Sequence, residues 1–165
     1  MFINQTVQNA INEQIKNELY SAYLYLAMGA YFEALNLPGF AHWMKLQAAE
    51  EQGHAMRFFD YIFERGGRVQ LKAIDQPPFE WKSPLDAFEQ VLEHEQKVTR
   101  LIHDLYALAV KENDYATQTM LHWFIDEQVE EEANALKIVE QLKMIDGHST
   151  ALLMLDHRLG ERSED

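Results

Sequence analysis

Four stretches of this chain carry apolar residues at alternating steps of three and four, and each of these seams is broken near its middle by a carboxylate. The first runs Ile11, Ile15, Glu18, Ala22, Tyr25, Gly29, Phe32, and the second Phe40, Met44, Gln47, Glu51, His54, Phe58, Tyr61. The third runs Phe88, Val91, Glu95, Val98, Ile102, Leu105, Ala109, and the fourth Leu121, Phe124, Gln128, Glu131, Ala135, Ile138, Leu142, Ile145. These steps are helical, and candidate strands are nearly absent, so the fold class is all-α. Every long helix then sends an acid inward at about the same height, and four carboxylates meet in one core. A buried, unpaired carboxylate costs on the order of several kcal/mol or shifts its pKa until it is neutral, and four together also repel one another. No Lys or Arg interrupts the central seams, and His54 is the only nitrogen base among them. A pair of divalent cations resolves the conflict, because a bridging Glu, terminal Glu ligands and one imidazole suit iron, manganese or zinc.

The spacing Glu51-Gln52-Gly53-His54 puts carboxylate and imidazole one helical turn apart on one face. Alone, such a pair on a helix is usually solvated; three further inward carboxylates at matching depth give it weight. Tyr25, two turns after Glu18, reads equally as core packing or as a redox or hydrogen-bonding neighbour of the metals, and Trp123 is more ambiguous still. His42, His94, His103, His122, His148 and His157 lie on no carboxylate-bearing seam and read as surface or packing residues. The scattered methionines read as gap-fillers in the core.

Proline and glycine punctuation sets the helix boundaries at about 4–35, 38–65, 84–112, 115–145 and 148–159, within a single domain spanning 1–165. Pro38 suits the first turn of the second helix, and Gly66-Gly67 ends it. Ser83-Pro84-Leu85-Asp86 combines a capping serine, a first-turn proline and an acid, and Asp114 caps the fourth helix. Asp146-Gly147 marks a turn into a short fifth helix. Short joints make the first and second helices antiparallel neighbours, and likewise the third and fourth. The joint from Gly66 to Ser83 differs. It can span up to about 55 Å if extended, whereas a helix of some 28 residues is about 42 Å long. A four-helix bundle with one long crossover is the architecture this allows.

The absence of cysteine removes disulfides, thiolate zinc sites, iron–sulfur clusters and cysteine nucleophiles. Acidic residues outnumber Lys and Arg by 27 to 14, a formal charge of -13, which disfavours nucleic acid and anionic lipid and favours cations. The start of the sequence, Met1-Phe2-Ile3-Asn4-Gln5, lacks the pattern of a secretory signal, and no apolar run is long enough to span a bilayer. The expectation is a cytoplasmic protein without a membrane or nucleic-acid partner.

Three segments carry a resemblance over essentially the whole chain: Asn17-Glu18-Leu19-Tyr20-Ser21-Ala22-Tyr23-Leu24-Tyr25-Leu26, Glu50-Glu51-Gln52-Gly53-His54-Ala55, and Asp126-Glu127-Gln128-Val129-Glu130-Glu131-Glu132. In them the chain resembles the ferritin family, and in particular its bacterial non-haem members. The resemblance implies one iron held by Glu18, Glu51 and His54 and a second by Glu51, Glu95 and Glu131, with Glu51 bridging and Gln128 nearby. It implies a third iron position at Glu50, Glu127 and Glu130, with Glu131 shared. It further implies a homo-oligomeric hollow cage of twenty-four subunits, oxidation of Fe(II) by dioxygen or hydrogen peroxide, and a ferric mineral kept inside. Bacterioferritin differs at two places, a second Glu-x-x-His and a haem-binding Met inside the first. Here the corresponding residues are Gln128-Val129-Glu130-Glu131 and Gln52, so no haem is expected. The acids that line the three-fold pores of animal ferritins have no counterpart in Thr117-Gln118-Thr119-Met120-Leu121, which leaves that entry route in doubt. Ala151-Leu152-Leu153-Met154-Leu155 covers all sides of a short helix, more apolar surface than one subunit can bury. The alternative function is a di-iron oxygenase or peroxidase that uses the same bundle without storing metal.

Overall fold

The computed structural model describes residues 2–164. It contains α1 (Gln5–Ala34), α2 (Pro38–Glu64), α3 (Pro84–Lys111), α4 (Tyr115–Ile145) and α5 (Ser149–Leu159), with no strand among the described residues. The helix ends follow from local chemistry. Asn4 accepts from the backbone N–H groups of Thr6 and Val7, Ser83 from that of Asp86, and Asp114 from that of Thr117. Proline stands in the first turn of α2 and of α3, where no intrahelical donor is lost. Asn36, Asn113 and Asp146 take the left-handed conformation just past α1, α3 and α4, with φ of 58°, 55° and 43°. Short polar side chains tolerate that region better than others, which is why the chain reverses there.

The helices pair as α1 with α2 and α3 with α4, and α1 against α3 joins the two hairpins into a four-helix bundle. The crossover, residues 65–83, is stitched along α1. Ile3 N–H donates to the Arg65 carbonyl at 2.9 Å, Arg68 N–H to Gln8 Oε1 at 2.9 Å, and Gln70 N–H to Asn12 Oδ1 at 2.9 Å. At its far end Trp81 is buried edge-on to Tyr31, ring centroids 5.3 Å apart. From Gln8 to Tyr31 is about 35 Å of helix, so the strap runs most of the bundle's length.

The apolar core falls into two separate clusters. One gathers Phe32, Phe40, Trp43, Phe88, Ile138 and their neighbours; the other gathers Ile11, Phe58, Ile62, Ile102, Phe124 and theirs. The inward acids occupy the level between them. The fifth helix docks mainly on α2. A Cβ on Gly39 would stand 1.6 Å from the Asp156 carbonyl oxygen, so only glycine permits this approach. Asp156 Oδ1 accepts from the backbone N–H of Phe40 at 2.9 Å, satisfying one of the free donors in the first turn of α2. Leu155 and Leu159 are buried by this docking, while Leu153 and Met154 stay 58% and 70% exposed. No helix of the structure, over its described residues, is long and apolar enough to cross a membrane.

Candidate metal centre

Each carboxylate-bearing seam places its acid inside. Glu18, Glu51 and Glu95 are each 1% exposed and Glu131 6%, with His54 at 5% and Gln128 at 3%. Their ligand atoms fall into three overlapping groups, each within 4.8 Å: Glu18, Glu51 and His54; Glu51, Glu95 and Glu131; and His54, Glu127 and Glu131. Glu51 belongs to the first two, so the two halves of the site share its carboxylate. His54 Nδ1 lies 3.2 Å from Glu51 Oε2 and 4.0 Å from Glu18 Oε2, and its Nε2 lies 3.9 Å from Glu127 Oε1.

Two carboxylate oxygens, Glu18 Oε2 and Glu51 Oε1, are buried without a hydrogen-bond partner among the described residues. Such atoms carry the full cost of desolvation in a packed interior, so their presence points to a group that the polypeptide does not itself supply. All the donors are carboxylate oxygen or imidazole nitrogen, without thiolate. That set suits a first-row divalent ion such as Fe(II), with Glu51 able to bridge two ions.

The electrostatics tell the same story. Burial, aided by the charges of Glu95 and Glu18, holds the Glu51 carboxyl well above the usual range, and burial likewise raises Glu18. Burial lifts Glu95 to about 7, and burial with the nearby charge of Glu95 lifts Glu131 to about 9. His54 is pushed down to about 4 by burial and by Arg57, so its imidazole is neutral and free to donate a lone pair. In each of these acids burial favours the protonated form unless a compensating charge is present.

The surrounding side chains fix each acid. Gln14 Nε2 donates to Glu18 Oε1 at 3.0 Å, and Gln47 Nε2 to Glu131 Oε2 at 2.5 Å. Gln128 Nε2 donates to Glu95 Oε2 at 3.1 Å and to Thr99 Oγ1 at 3.2 Å. The Tyr25 hydroxyl donates to Glu95 Oε1 and is itself raised well above the usual phenol value, first by burial and then by the charge of Glu95. A neutral phenol bonded to a ligand-type carboxylate favours the hydrogen-bonding reading of Tyr25 over simple packing. Trp123 stands edge-on to His54 with centroids 5.3 Å apart, and the Arg57 guanidinium lies 3.7 Å from its ring centroid. Gln14 and Gln47 were not among the site residues expected from sequence. Gln47 lay on the second seam beside the acids, and that was a usable signal; Gln14 lies off its seam, and only its i,i+4 relation to Glu18 pointed to it.

Of the four acids expected at a third position, two share a ligand group. Glu127 and Glu131 join His54 in one group, whereas Glu50 and Glu130 fall in none of the three. Glu130 is exposed, and Glu50 Oε1 accepts from Arg162 Nη2 at 2.8 Å. Of the remaining histidines, His94 is partly buried against Ser21, its Nε2 2.7 Å from the Ser21 hydroxyl, and His42 Nε2 donates to the Arg162 carbonyl at 2.7 Å.

Comparison with known proteins places the chain in a family. Residues 8–145 match the family model described as a ferritin-like domain. A bacterial non-heme ferritin of Bacteroides fragilis is 47% identical over 160 residues, covering 97% of this chain and 99% of the relative. Among solved structures, an open-pore ferritin of the hyperthermophilic archaeon Archaeoglobus fulgidus is 52% identical, with a TM-score of 0.97 over 98% of this chain and 99% of that one. A closed form engineered from the Archaeoglobus fulgidus ferritin by site-directed mutagenesis superposes with a TM-score of 0.98, again at 52% identity and 99% coverage of both chains. With the bundle, the long crossover and the shared family model all in agreement, the chain belongs to the ferritin family.

Proposed function

We propose that this chain is a single ferritin-like di-iron domain that oxidises Fe(II) within the bundle and stores the ferric product as mineral inside a homo-oligomeric cage of twenty-four copies. The observation that carries the reading is the pair of overlapping ligand groups sharing Glu51, with two buried carboxylate oxygens left without partners. Glu18, Glu51 and His54 take one Fe(II), and Glu51, Glu95 and Glu131 take the other. Gln128 holds Glu95, and Tyr25 hydrogen-bonds to the same carboxylate. Glu50, Glu127 and Glu130, with Glu131 shared, are proposed as a third, weaker position.

Carboxylate ligands drive the chemistry. Anionic oxygens stabilise Fe(III) more than Fe(II), lowering the reduction potential of the bound pair so that both ions give up an electron to dioxygen or hydrogen peroxide. Neutral His54 supplies nitrogen without adding positive charge, and the two flanking apolar clusters limit water. The exposed Leu153 and Met154 of α5, together with Met144 at 78% exposure, offer the apolar surface that copies of the chain would cover. The formal charge of -13 favours cation entry and mineral nucleation.

The test is the initial rate of aerobic Fe(II) oxidation by the assembled protein and by its His54→Ala and Glu18→Ala variants. Each substitution should slow oxidation by at least about tenfold while the particle mass is kept. Unchanged initial rates would overturn the assignment of the site. A small oligomer that turns over iron without retaining it would favour an oxygenase or peroxidase.

A further inference from the structure

The segment that follows α5 reaches back to the acid cluster. Beyond the helix, Arg162 N–H donates to the Leu159 carbonyl at 3.3 Å, and its own carbonyl accepts from His42 Nε2. Its side chain lies along α2. The guanidinium sits 4.9 Å from the Trp43 ring centroid, donates from Nη1 to Gln47 Oε1 at 3.0 Å and to the Trp43 carbonyl at 3.4 Å, and donates from Nη2 to Glu50 Oε1 at 2.8 Å. Gln47 in turn donates to Glu131. One cation from the end of the chain is thus held against the rim of the centre, at the acid that the third position needs.

We propose that Arg162 is a tethered cation that withholds Glu50 from the third metal position, which it would share with Glu127, Glu130 and Glu131, so that the seating of the segment after α5 sets how readily that position fills. The inference rests on the reading of the acid cluster given above. Three features support it. A guanidinium does not lose its proton at any working pH, so the pairing is always charged and a metal ion must displace it to reach Glu50. The contact is at the rim, with the Arg162 and Glu50 side chains 20% and 28% exposed, which permits exchange where a sealed pair would not. Gln47, which accepts from Arg162 at Oε1, donates from Nε2 to Glu131 Oε2, so a single side chain links the guanidinium to the inner ligand. The docking that delivers the arginine is itself specific, through the contact of Gly39 with Asp156 and the bond from Phe40 N–H to Asp156 Oδ1.

Titration of the metal-free, assembled protein with Zn(II), which binds without redox chemistry, tests this by calorimetry. Arg162→Gln removes the charge and keeps a donor for Gln47; it should tighten the weakest saturable Zn(II) site by about tenfold. Arg162→Lys should stay near the wild type, because the charge is kept. Glu50→Gln combined with Arg162→Gln should abolish the gain. The inference fails if Arg162→Gln binds zinc as the wild type does, if Arg162→Lys tightens binding equally, or if the gain survives without Glu50. Amide exchange over 149–159 should be unchanged in Arg162→Gln; if that variant frees the helix, the comparison of Arg162→Lys with Glu50→Gln/Arg162→Lys decides, a tighter site in the former overturning the inference. His54→Ala separates the two layers of argument. If zinc binding ignores His54, the reading of the centre fails; if it needs His54 while Arg162→Gln matches the wild type, the inference alone fails.

Discussion

Loading the metal-free protein with Zn(II) should expel protons from the buried acids. Glu95, raised to about 7, and Glu131, raised to about 9, are the two acids for which the count can be worked. At about pH 6.5 they hold roughly 1.8 protons between them, and at about pH 8 roughly 1.0, because only Glu95 titrates in that interval. His54, pushed down to about 4, is already neutral and releases none. Burial and the charges of Glu95 and Glu18 push the Glu51 carboxyl in the same direction. A cation pair needs all of these acids as carboxylates, so binding must release their protons and the apparent affinity must climb with pH. Integrated over that interval, the two acids alone raise zinc affinity by about a hundredfold. Calorimetry in buffers of different ionisation enthalpy reads the proton count directly. Zinc binding that released less than about one proton per subunit at both pH values would refute the reasoning, since the acids would then be ionised before metal arrives. Glu95→Gln should remove most of the difference between the two pH values.

The same acids set the pH dependence of the metal-free fold. Their folded pKa values lie above the ordinary value of 4.5, so the stability they contribute is complete below about pH 4.5 and is lost as pH rises through about 7 for Glu95 and about 9 for Glu131. The thermal midpoint of the metal-free protein should therefore fall from acid to alkaline pH, at about 1.4 kcal/mol per pH unit for each acid still protonated, and zinc should flatten the profile; a midpoint that rises over this range would contradict the burial argument. Gly39→Ala should push α5 away from α2, because the new Cβ would meet the Asp156 carbonyl oxygen at 1.6 Å. Overpacking of this kind costs about 1–3 kcal/mol, visible as faster amide exchange over 149–159 with α1 to α4 protected, and unaltered exchange there would show that the contact is not what seats the helix.

Much of this fold is legible in the sequence because its signals are local and agree with one another. Pro38, Ser83 with Pro84, and Asp114 mark helix starts through side-chain chemistry that acts within one turn, and all three stand where a cap or first turn is observed. The inward direction of Glu18, Glu51, Glu95 and Glu131 follows from a repeat of 3.6 residues, and each is buried. What sequence could not give was the partner of each polar group. Gln47 and Arg162 lie 115 positions apart, and nothing at either position announces their contact. Nothing near Glu50 in sequence announces that Arg162, from the segment after α5, donates to its carboxylate. Local periodicity tells which way a side chain points; only the tertiary path of the chain tells what it meets.

That division also explains how the bundle tolerates a layer of acids. If the four carboxylates were spread through one continuous core, substituting any of them would disturb the packing that holds the helices together. Instead the apolar residues form two clusters, one around Phe32, Phe40 and Phe88 and one around Phe58, Ile62 and Phe124, with the acids between. Each cluster draws on all four long helices, so each can hold the bundle's register by itself. Burial at about 25 cal/mol per Å² favours the clusters, while the middle layer is set by hydrogen bonds from Gln14, Gln47, Gln128 and Tyr25. A layer clamped at both ends can keep its acids close enough to share cations without relying on those cations for the fold. For this reason His54→Ala and Glu18→Ala report on oxidation rather than on assembly.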